Sequence, residues 1–144
     1  MTTIIQALRD YFLGCPALAD NRINVNYLPE SALNGVEVSI DATPIETVVR
    51  PYKNGGGLEQ YAFTLRTVNE YSEGFLQNID NSGLFEAIAV WLRTQSKARS
   101  LPELPEGLTP IRIAAQSSGY LFSAEAAVAK YQIQCNLFYY RKGA

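Results

Sequence analysis

The order of apolar and polar positions predicts an amphipathic helix near the start of the chain. Its apolar residues recur at the spacing of one helical face: Ile4, Ile5, Leu8 and Phe12. Thr3 followed by Gln6 fits a capping box, in which the threonine hydroxyl satisfies a backbone N–H at the helix start. Because glycine and proline end helices, we expect this helix to run from Thr3 to Leu13 and to stop at Gly14-Cys15-Pro16.

Alternation of apolar and polar residues predicts strands in the next part of the chain. The predicted strands are residues 22–28, 36–40, 45–52 and 60–71. In the last of these, Tyr61, Phe63 and Leu65 fall on one face, which we expect to be buried. Asn34-Gly35 precedes the second strand, and this pair readily adopts the positive φ angles of a tight turn.

The segment "KNGGG", Lys53 to Gly57, lies between the third and fourth predicted strands. Glycines tolerate the positive φ angles of a hairpin tip, so the segment favours the bend of a long β-hairpin. The alternative is a phosphate-binding loop, which leads directly into a helix and carries its lysine after the glycines, next to serine or threonine. Here Lys53 comes first and a strand-like run follows the glycines, which favours the hairpin.

The hairpin tip and the end of the chain hold the candidate contact residues. Arg50, Tyr52 and Lys53 stand on the rising arm of a tip that we expect to be mobile. This tip is either a solvated loop or a contact with a neighbouring subunit that becomes ordered on assembly. Tyr52, Phe138 and Tyr140 are candidates for an apolar patch on the outer face of the sheet, the alternative being that they pack under the helices.

A second helix is predicted to start at Ser82-Gly83. One face of it carries Leu84, Phe85, Ile88, Trp91, Leu92 and Gln95. Trp91 either packs against a sheet, which we favour, or holds a ligand. Arg93, Lys97 and Arg99 lie near the end of this helix, where positive charge complements the helix dipole.

The remaining chain predicts an extended connector and more strands. The connector is "SLPELPEGLTP", residues 100–110, which is rich in proline. Residues 111–115 and 120–122 are predicted to form one bent strand that is interrupted at Ser117-Ser118-Gly119. The final run alternates in character, so Cys135 falls on its apolar face and the adjacent Tyr139 and Tyr140 point to opposite faces.

The order of these elements predicts one domain over residues 1–144. We expect an α+β fold with a mostly antiparallel sheet, packed on one side by the N-terminal helix and the central helix, and with a long glycine-tipped β-hairpin. The predicted strands and helices do not alternate along the chain, so the sequence does not indicate a parallel sheet.

Composition and charge narrow the function classes. Twelve basic and fourteen acidic side chains give a formal charge of −2, which argues against sequence-specific nucleic-acid binding. The sequence contains no histidine, which excludes Ser-His-Asp and Cys-His nucleophile systems. The first residues fit neither a signal peptide nor a membrane span. Cys15 and Cys135 lie far apart, so two thiols are expected in a reducing compartment, with a disulfide as the alternative.

Acidic residues do not form a motif that indicates catalysis or metal binding. They are scattered along the strands and the loop before the second helix: Glu37, Asp41, Glu46, Glu70 and Glu73. A catalytic pair needs two carboxylates a few ångströms apart, and this spacing does not indicate one. Solvent-facing strand charges that discourage edge pairing explain the acids more simply. We therefore predict no enzyme activity, no cofactor and no metal.

Several phrases of the sequence resemble a known family. They are "IETVVRPYKNGGGLEQYAFTLRTVNEYS", "LPELPEGLTP", "GYLF" and "YQIQCNLFYYRKG". Together they span roughly residues 30–143 and are similar to small minor capsid, or tail-completion, proteins of long-tailed phages and prophages of Gram-positive bacteria. The resemblance also implies a relation to tail terminator proteins, which the position and size of the family's members indicate.

The resemblance implies a virion protein, made in the bacterial cytoplasm, that forms a ring at the head-proximal end of the tail tube. The ring, for which six subunits are expected, would join the tail to the head. Its partners would be copies of itself, tail-tube proteins and head-closure proteins, with DNA passing through without sequence-specific binding. A head-closure or neck ring is the first alternative, and a small nucleotide-binding protein that uses Lys53 and the glycines is the second. The expected contact residues are Arg50, Tyr52, Lys53, Asn54, Gly55, Gly56, Gly57, Phe138 and Tyr140.

Overall fold

The computed structural model describes residues 3–18, 23–25, 36–45, 47–70, 75–116, 120–125 and 128–143. Within these residues the chain forms two α-helices and seven β-strands. In chain order they are α1 (Ile4–Phe12), β1 (Ile23–Val25), β2 (Val36–Ala42), β3 (Val48–Pro51), β4 (Gly57–Glu70), α2 (Phe75–Ala98), β5 (Leu108–Ala115), β6 (Tyr120–Glu125) and β7 (Val128–Arg141). The predicted α+β class with a mostly antiparallel sheet is confirmed.

Two long strands form the centre of the sheet. β4 and β7 are antiparallel over their full length of 14 residues each, from Gly57 opposite Arg141 to Glu70 opposite Val128. Because β7 occupies one side of β4, strands β2 and β3 lie end to end along the other side. Strands β5 and β6 lie end to end along the free side of β7 in the same way.

The segment predicted as one interrupted strand corresponds to β5 and β6, which follow one another along the same side of β7. The predicted interruption at Ser117-Ser118-Gly119 lies outside the described residues.

β1 and β2 are the exception to the antiparallel arrangement, because they pair in parallel. A parallel pair cannot be joined by a two-residue hairpin turn. The tight turn predicted at Asn34-Gly35 lies outside the described residues.

Helix α1 begins as the sequence predicts. The Thr3 hydroxyl accepts a hydrogen bond from the backbone N–H of Gln6 at 3.2 Å, which satisfies one of the donors at the helix start. The helix ends after Phe12, whose ring packs edge-on against Phe63 of β4 with centroids 5.9 Å apart. This contact places α1 on the same face of the sheet as the buried side of β4.

Helix α2 begins earlier than predicted. It starts at Phe75, so the expected start at Ser82-Gly83 is wrong and both residues lie inside the helix. Gly83 is exposed, and an interior glycine costs a helix only about 0.5–1 kcal/mol. Burial of Phe85, Ile88 and Leu92 against the sheet outweighs that cost.

The core lies between the two helices and one face of the sheet. It contains Leu8, Phe12, Phe63, Leu65, Phe85, Ile88, Leu92, Ile113, Ile133, Leu137 and Tyr139, with further members from β1 and β2. Trp91 packs at its border, and its ring lies 5.0 Å from that of Tyr11 and 5.6 Å from that of Phe12, both of α1. The outer face of the sheet, which carries the side chains of the alternate residues, is not covered by α1 or α2.

Both cysteines are buried thiols and form no disulfide with each other. Burial raises the pKa of the Cys135 thiol to about 12. Among the helices in the described part of the chain, none combines the length and apolar character that crossing a membrane requires.

Candidate interaction surface

The glycine segment forms the tip of an antiparallel hairpin between β3 and β4. Pro51 lies opposite Gly57, and Arg50 lies opposite Leu58. The Tyr52 N–H donates to the carbonyl of Gly56 at 2.9 Å, and the Gly55 N–H donates to the carbonyl of Tyr52 at 3.2 Å. The glycines continue into a strand, so the helix N-terminus that a phosphate-binding loop requires does not follow them.

Only one of the three glycines has a positive φ. Gly55 has φ 88°, which allows the chain to reverse. Gly56 and Gly57 are needed for a different reason, which is lack of space. A Cβ on Gly57 would lie 2.6 Å from the Arg50 carbonyl oxygen, and a Cβ on Gly56 would lie 2.7 Å from the backbone nitrogen of Gly143.

The hairpin tip packs against the end of the chain. Asn54 Oδ1 accepts a hydrogen bond from the Gly56 N–H at 3.1 Å, which holds the turn. Gly143 lies against Asn54 so closely that a Cβ on Gly143 would be 2.6 Å from the Asn54 carbonyl oxygen. Lys142 in turn donates its backbone N–H to the Gly107 carbonyl at 2.8 Å. We expected this tip to be mobile from the sequence. In the structure it packs between β3 and the segment that follows β7.

Two of the three candidate aromatic residues form an exposed pair. Tyr52 and Tyr140 come from distant parts of the chain, yet their ring centroids are 6.2 Å apart and the residues are 40% and 45% exposed. Phe138 lies on the same outer face but is half-buried, and the Arg112 guanidinium sits 4.8 Å above its ring. Tyr139 is buried on the opposite face, as the alternation predicts.

We call the predicted contact set the hairpin surface. It comprises Arg50, Tyr52, Lys53, Asn54, Gly55, Gly56, Gly57, Phe138 and Tyr140. Arg50 and Lys53 are exposed and supply positive charge, while Gly56 and Gly57 are buried and act as its support. Val48 and Val49 of β3 are also exposed, at 45% and 46%. The arrangement offers a rigid aromatic pair with cations beside it, which is a typical composition for a protein contact.

A buried polar cluster supports this surface from the inner face of the sheet. Glu59 accepts two hydrogen bonds of 2.9 Å, one from the Tyr139 hydroxyl to Oε1 and one from Arg141 Nε to Oε2. Burial alone would raise the pKa of Glu59, but the bonds from Arg141 and Tyr139 outweigh it and lower the pKa. Burial and the bond to Glu59 raise the pKa of Tyr139 to about 12.

The cluster of Glu59, Tyr139 and Arg141 was not predicted from the sequence. One signal was available, because Glu59 shares the strand period of Tyr61 and Phe63 and must therefore point inward. A buried carboxylate requires partners, and the aligned positions of the paired strand supply them.

Of the acidic residues considered for catalysis, Asp41 is the one whose side chain the structure describes. Asp41 on the outer face accepts from Arg66 and from the Ser39 hydroxyl, each at 2.6 Å, which is a structural pair. The side chains of Glu37, Glu46, Glu70 and Glu73 lie outside the described set. No group of three or more potential metal ligands occurs among the described residues.

Neither a comparison with protein-family models nor one with curated protein sequences finds a match for this chain.

Proposed function

We propose that this chain is a structural subunit of a long-tailed phage, of the tail terminator or minor capsid type, which acts by assembling into a ring at the head-proximal end of the tail tube. The observation that supports this most is the hairpin surface. Tyr52 and Tyr140 form an exposed aromatic pair, and the parts of the chain that carry them are fixed by backbone contacts. A rigid aromatic patch binds a partner with little loss of conformational freedom.

The construction of this surface supports a contact role. Gly56, Gly57 and Gly143 let three backbone segments pack together with no side chain between them. The Glu59 cluster ties β4 to β7 directly beneath. Such support is expected where a protein must hold one geometry against a neighbour, because an interface loses affinity when its parts must first be ordered.

Capture assays with the tail-tube and neck proteins of the same phage test the proposal. We expect the wild-type chain to retain tail-tube protein, and Tyr52→Ser combined with Tyr140→Ser to lose at least about tenfold of that retention. The matched control is Val90→Ser, which removes an equally exposed apolar side chain from α2, away from the hairpin surface. Retention of neck proteins alone would move the subunit to a head-closure ring, and retention of neither would overturn the proposal.

A further inference from the structure

A wide groove runs between helix α2 and strand β5. It lies beside the hairpin surface, because Arg112 of β5 borders the groove and also stands over the Phe138 ring. Its volume is about 1010 Å³. Its apolar lining consists of the half-buried residues Ala89, Ile111, Ala114 and Ala115 and of the core residues Phe85, Ile113 and Ile133. Arg93, Lys97 and Arg99 stand along the same groove from the side of α2, and Glu86 is the one carboxylate among its described lining residues. The groove thus combines an apolar interior with a basic rim.

The helix dipole does not account for this arrangement. Lys97 lies in the last turn of α2, where a cation is favourable in any case, but Arg93 lies more than a turn before the helix end. These cations are concentrated on one side of a chain whose formal charge is −2. A groove with this charge attracts an acidic surface.

The occupant must bind through side chains rather than by adding a strand to β5. The Ser96 hydroxyl donates to the Ile113 carbonyl at 2.6 Å and accepts from the Ile113 N–H at 3.1 Å. Both groups would otherwise be offered to an incoming strand at the edge of the sheet. Helix α2 therefore closes this position of the edge.

The lining favours a protein over a nucleic acid. Phosphate groups would use the cations but leave the half-buried apolar side chains of Ala89, Ile111 and Ala115 without a partner. An apolar centre with a charged rim is the usual anatomy of a contact between proteins. The acidic formal charge of the chain also opposes association with DNA.

The chain itself presents a matching acidic surface. Asp10 of α1 and Glu103 and Glu106 of the connector border a second cavity of about 580 Å³. The connector is held in place, because the Tyr11 hydroxyl donates to the Ser100 carbonyl at 2.7 Å and Pro102 is buried. Trp91 of α2 faces α1, whereas Arg93 faces the groove, so the two charged surfaces border different sides of α2.

We propose that the acidic surface, Asp10 with Glu103 and Glu106, of a second copy of this chain binds in the basic groove of the first. Two different patches meet in such a contact, so each copy uses one patch on either side, which is the head-to-tail arrangement that generates rings. This inference rests on the proposed function because it requires self-assembly, and it names surfaces for that assembly other than the hairpin surface.

Charge reversal tests the contact. One variant carries Arg93→Glu with Lys97→Glu, and the other carries Glu103→Lys with Glu106→Lys; all four side chains are exposed. In sedimentation velocity we expect each variant alone to associate at least about tenfold more weakly than the wild type, because like charges then face each other. An equimolar mixture of the two should regain association. A chain with all four substitutions keeps the formal charge of −2 and should associate again.

The outcomes separate this inference from the proposed function. If the wild type assembles and both variants assemble equally well, the groove contact is wrong and ring formation stands. If the wild type remains a monomer, the groove contact and the proposed ring formation are both wrong. Loss of association without recovery in the mixture would overturn the pairing of these two surfaces. Retention of a double-stranded DNA fragment that is lost in Arg93→Glu with Lys97→Glu, with association of the protein unchanged, would assign the groove to DNA instead.

Discussion

Glu59 is a carboxylate on the buried face of a sheet, and its environment determines what it contributes. Its side chain is 10% exposed and accepts from Tyr139 and Arg141. We expect Glu59→Gln to lower the free energy of unfolding by about 1–3 kcal/mol at neutral pH, since the amide cannot accept both bonds and leaves Arg141 without a counter-charge. Urea denaturation measures this, with the exposed Glu103→Gln as a control that should change stability by less than about 0.5 kcal/mol.

The same cluster predicts how stability depends on pH. The folded-state pKa of Glu59 is lowered, so its contribution is present above the unfolded pKa of about 4.3 and is lost as the pH falls through the folded value. Tyr139 has a raised pKa, so its contribution is present below about pH 10 and is lost as the pH rises toward about 12. Urea midpoints measured across pH should show both losses. Tyr139→Phe should reduce the alkaline loss, to which Tyr11 and Cys135 also contribute because burial raises the pKa of each to about 12. An unchanged alkaline profile would contradict the assignment.

Two glycines should respond oppositely to alanine. Gly83→Ala should stabilise the protein by about 0.5–1 kcal/mol, because the site lies inside α2 and a Cβ there meets no atom within 4 Å. Gly56→Ala should destabilise it by more than about 1 kcal/mol, because the methyl group would collide with the backbone at Arg141 and Gly143. Thermal melts compare the pair directly. Equal shifts for both would show that the hairpin tip is not packed as described.

Helix α2 covers one face of the sheet and also closes the edge of β5 at Ile113. It does so through the hydroxyl of Ser96. Ser96→Ala would leave the Ile113 N–H and carbonyl without this partner, so we expect a loss of about 1–2 kcal/mol. Thr94→Ala, on an exposed position of the same helix, is the matched control and should be nearly neutral. If both changes cost the same, the edge is satisfied in another way.

Helices and strands were predictable from sequence to the extent that local patterns determine them. Thr3 and Gln6 locate the start of α1, and the period of two in residues 60–71 matches β4, because both signals act over a few residues. The start of α2 was missed because Ser82-Gly83 resembles an N-cap, while the burial that keeps both residues inside the helix involves residues elsewhere in the chain. The parallel pairing of β1 with β2 was not predictable, since no local pattern selects a partner strand.

The residues of the hairpin surface were predictable from the sequence, but the contacts that hold them together were not. Alternation alone placed Tyr140 outward, and the turn composition drew attention to residues 50–57. That Tyr52 lies against Tyr140, and that Gly56 lies against the segment after β7, depends on the register of three strands. From the sequence, Arg93, Lys97 and Arg99 are explained by the helix dipole alone. The groove beside them is not predictable, because the strand that forms its other wall comes later in the chain.

The proposed function requires that this chain acts through assembly, with its faces divided between contacts. The hairpin surface and the basic groove are formed mainly by different parts of the fold: β3, β4 and the end of β7 for the first, α2 and β5 for the second, with Arg112 of β5 at the border of both. A subunit with two separate contact surfaces can bind a neighbouring copy and a second partner at the same time. The prediction is therefore a closed oligomer with a free surface.

Native mass spectrometry of the purified wild-type chain over a wide range of concentrations tests whether the chain forms a closed oligomer. We expect one closed species with a fixed number of subunits, which persists as concentration rises and does not grow into longer polymers. A chain of 15.9 kDa that stays monomeric at every concentration would contradict it.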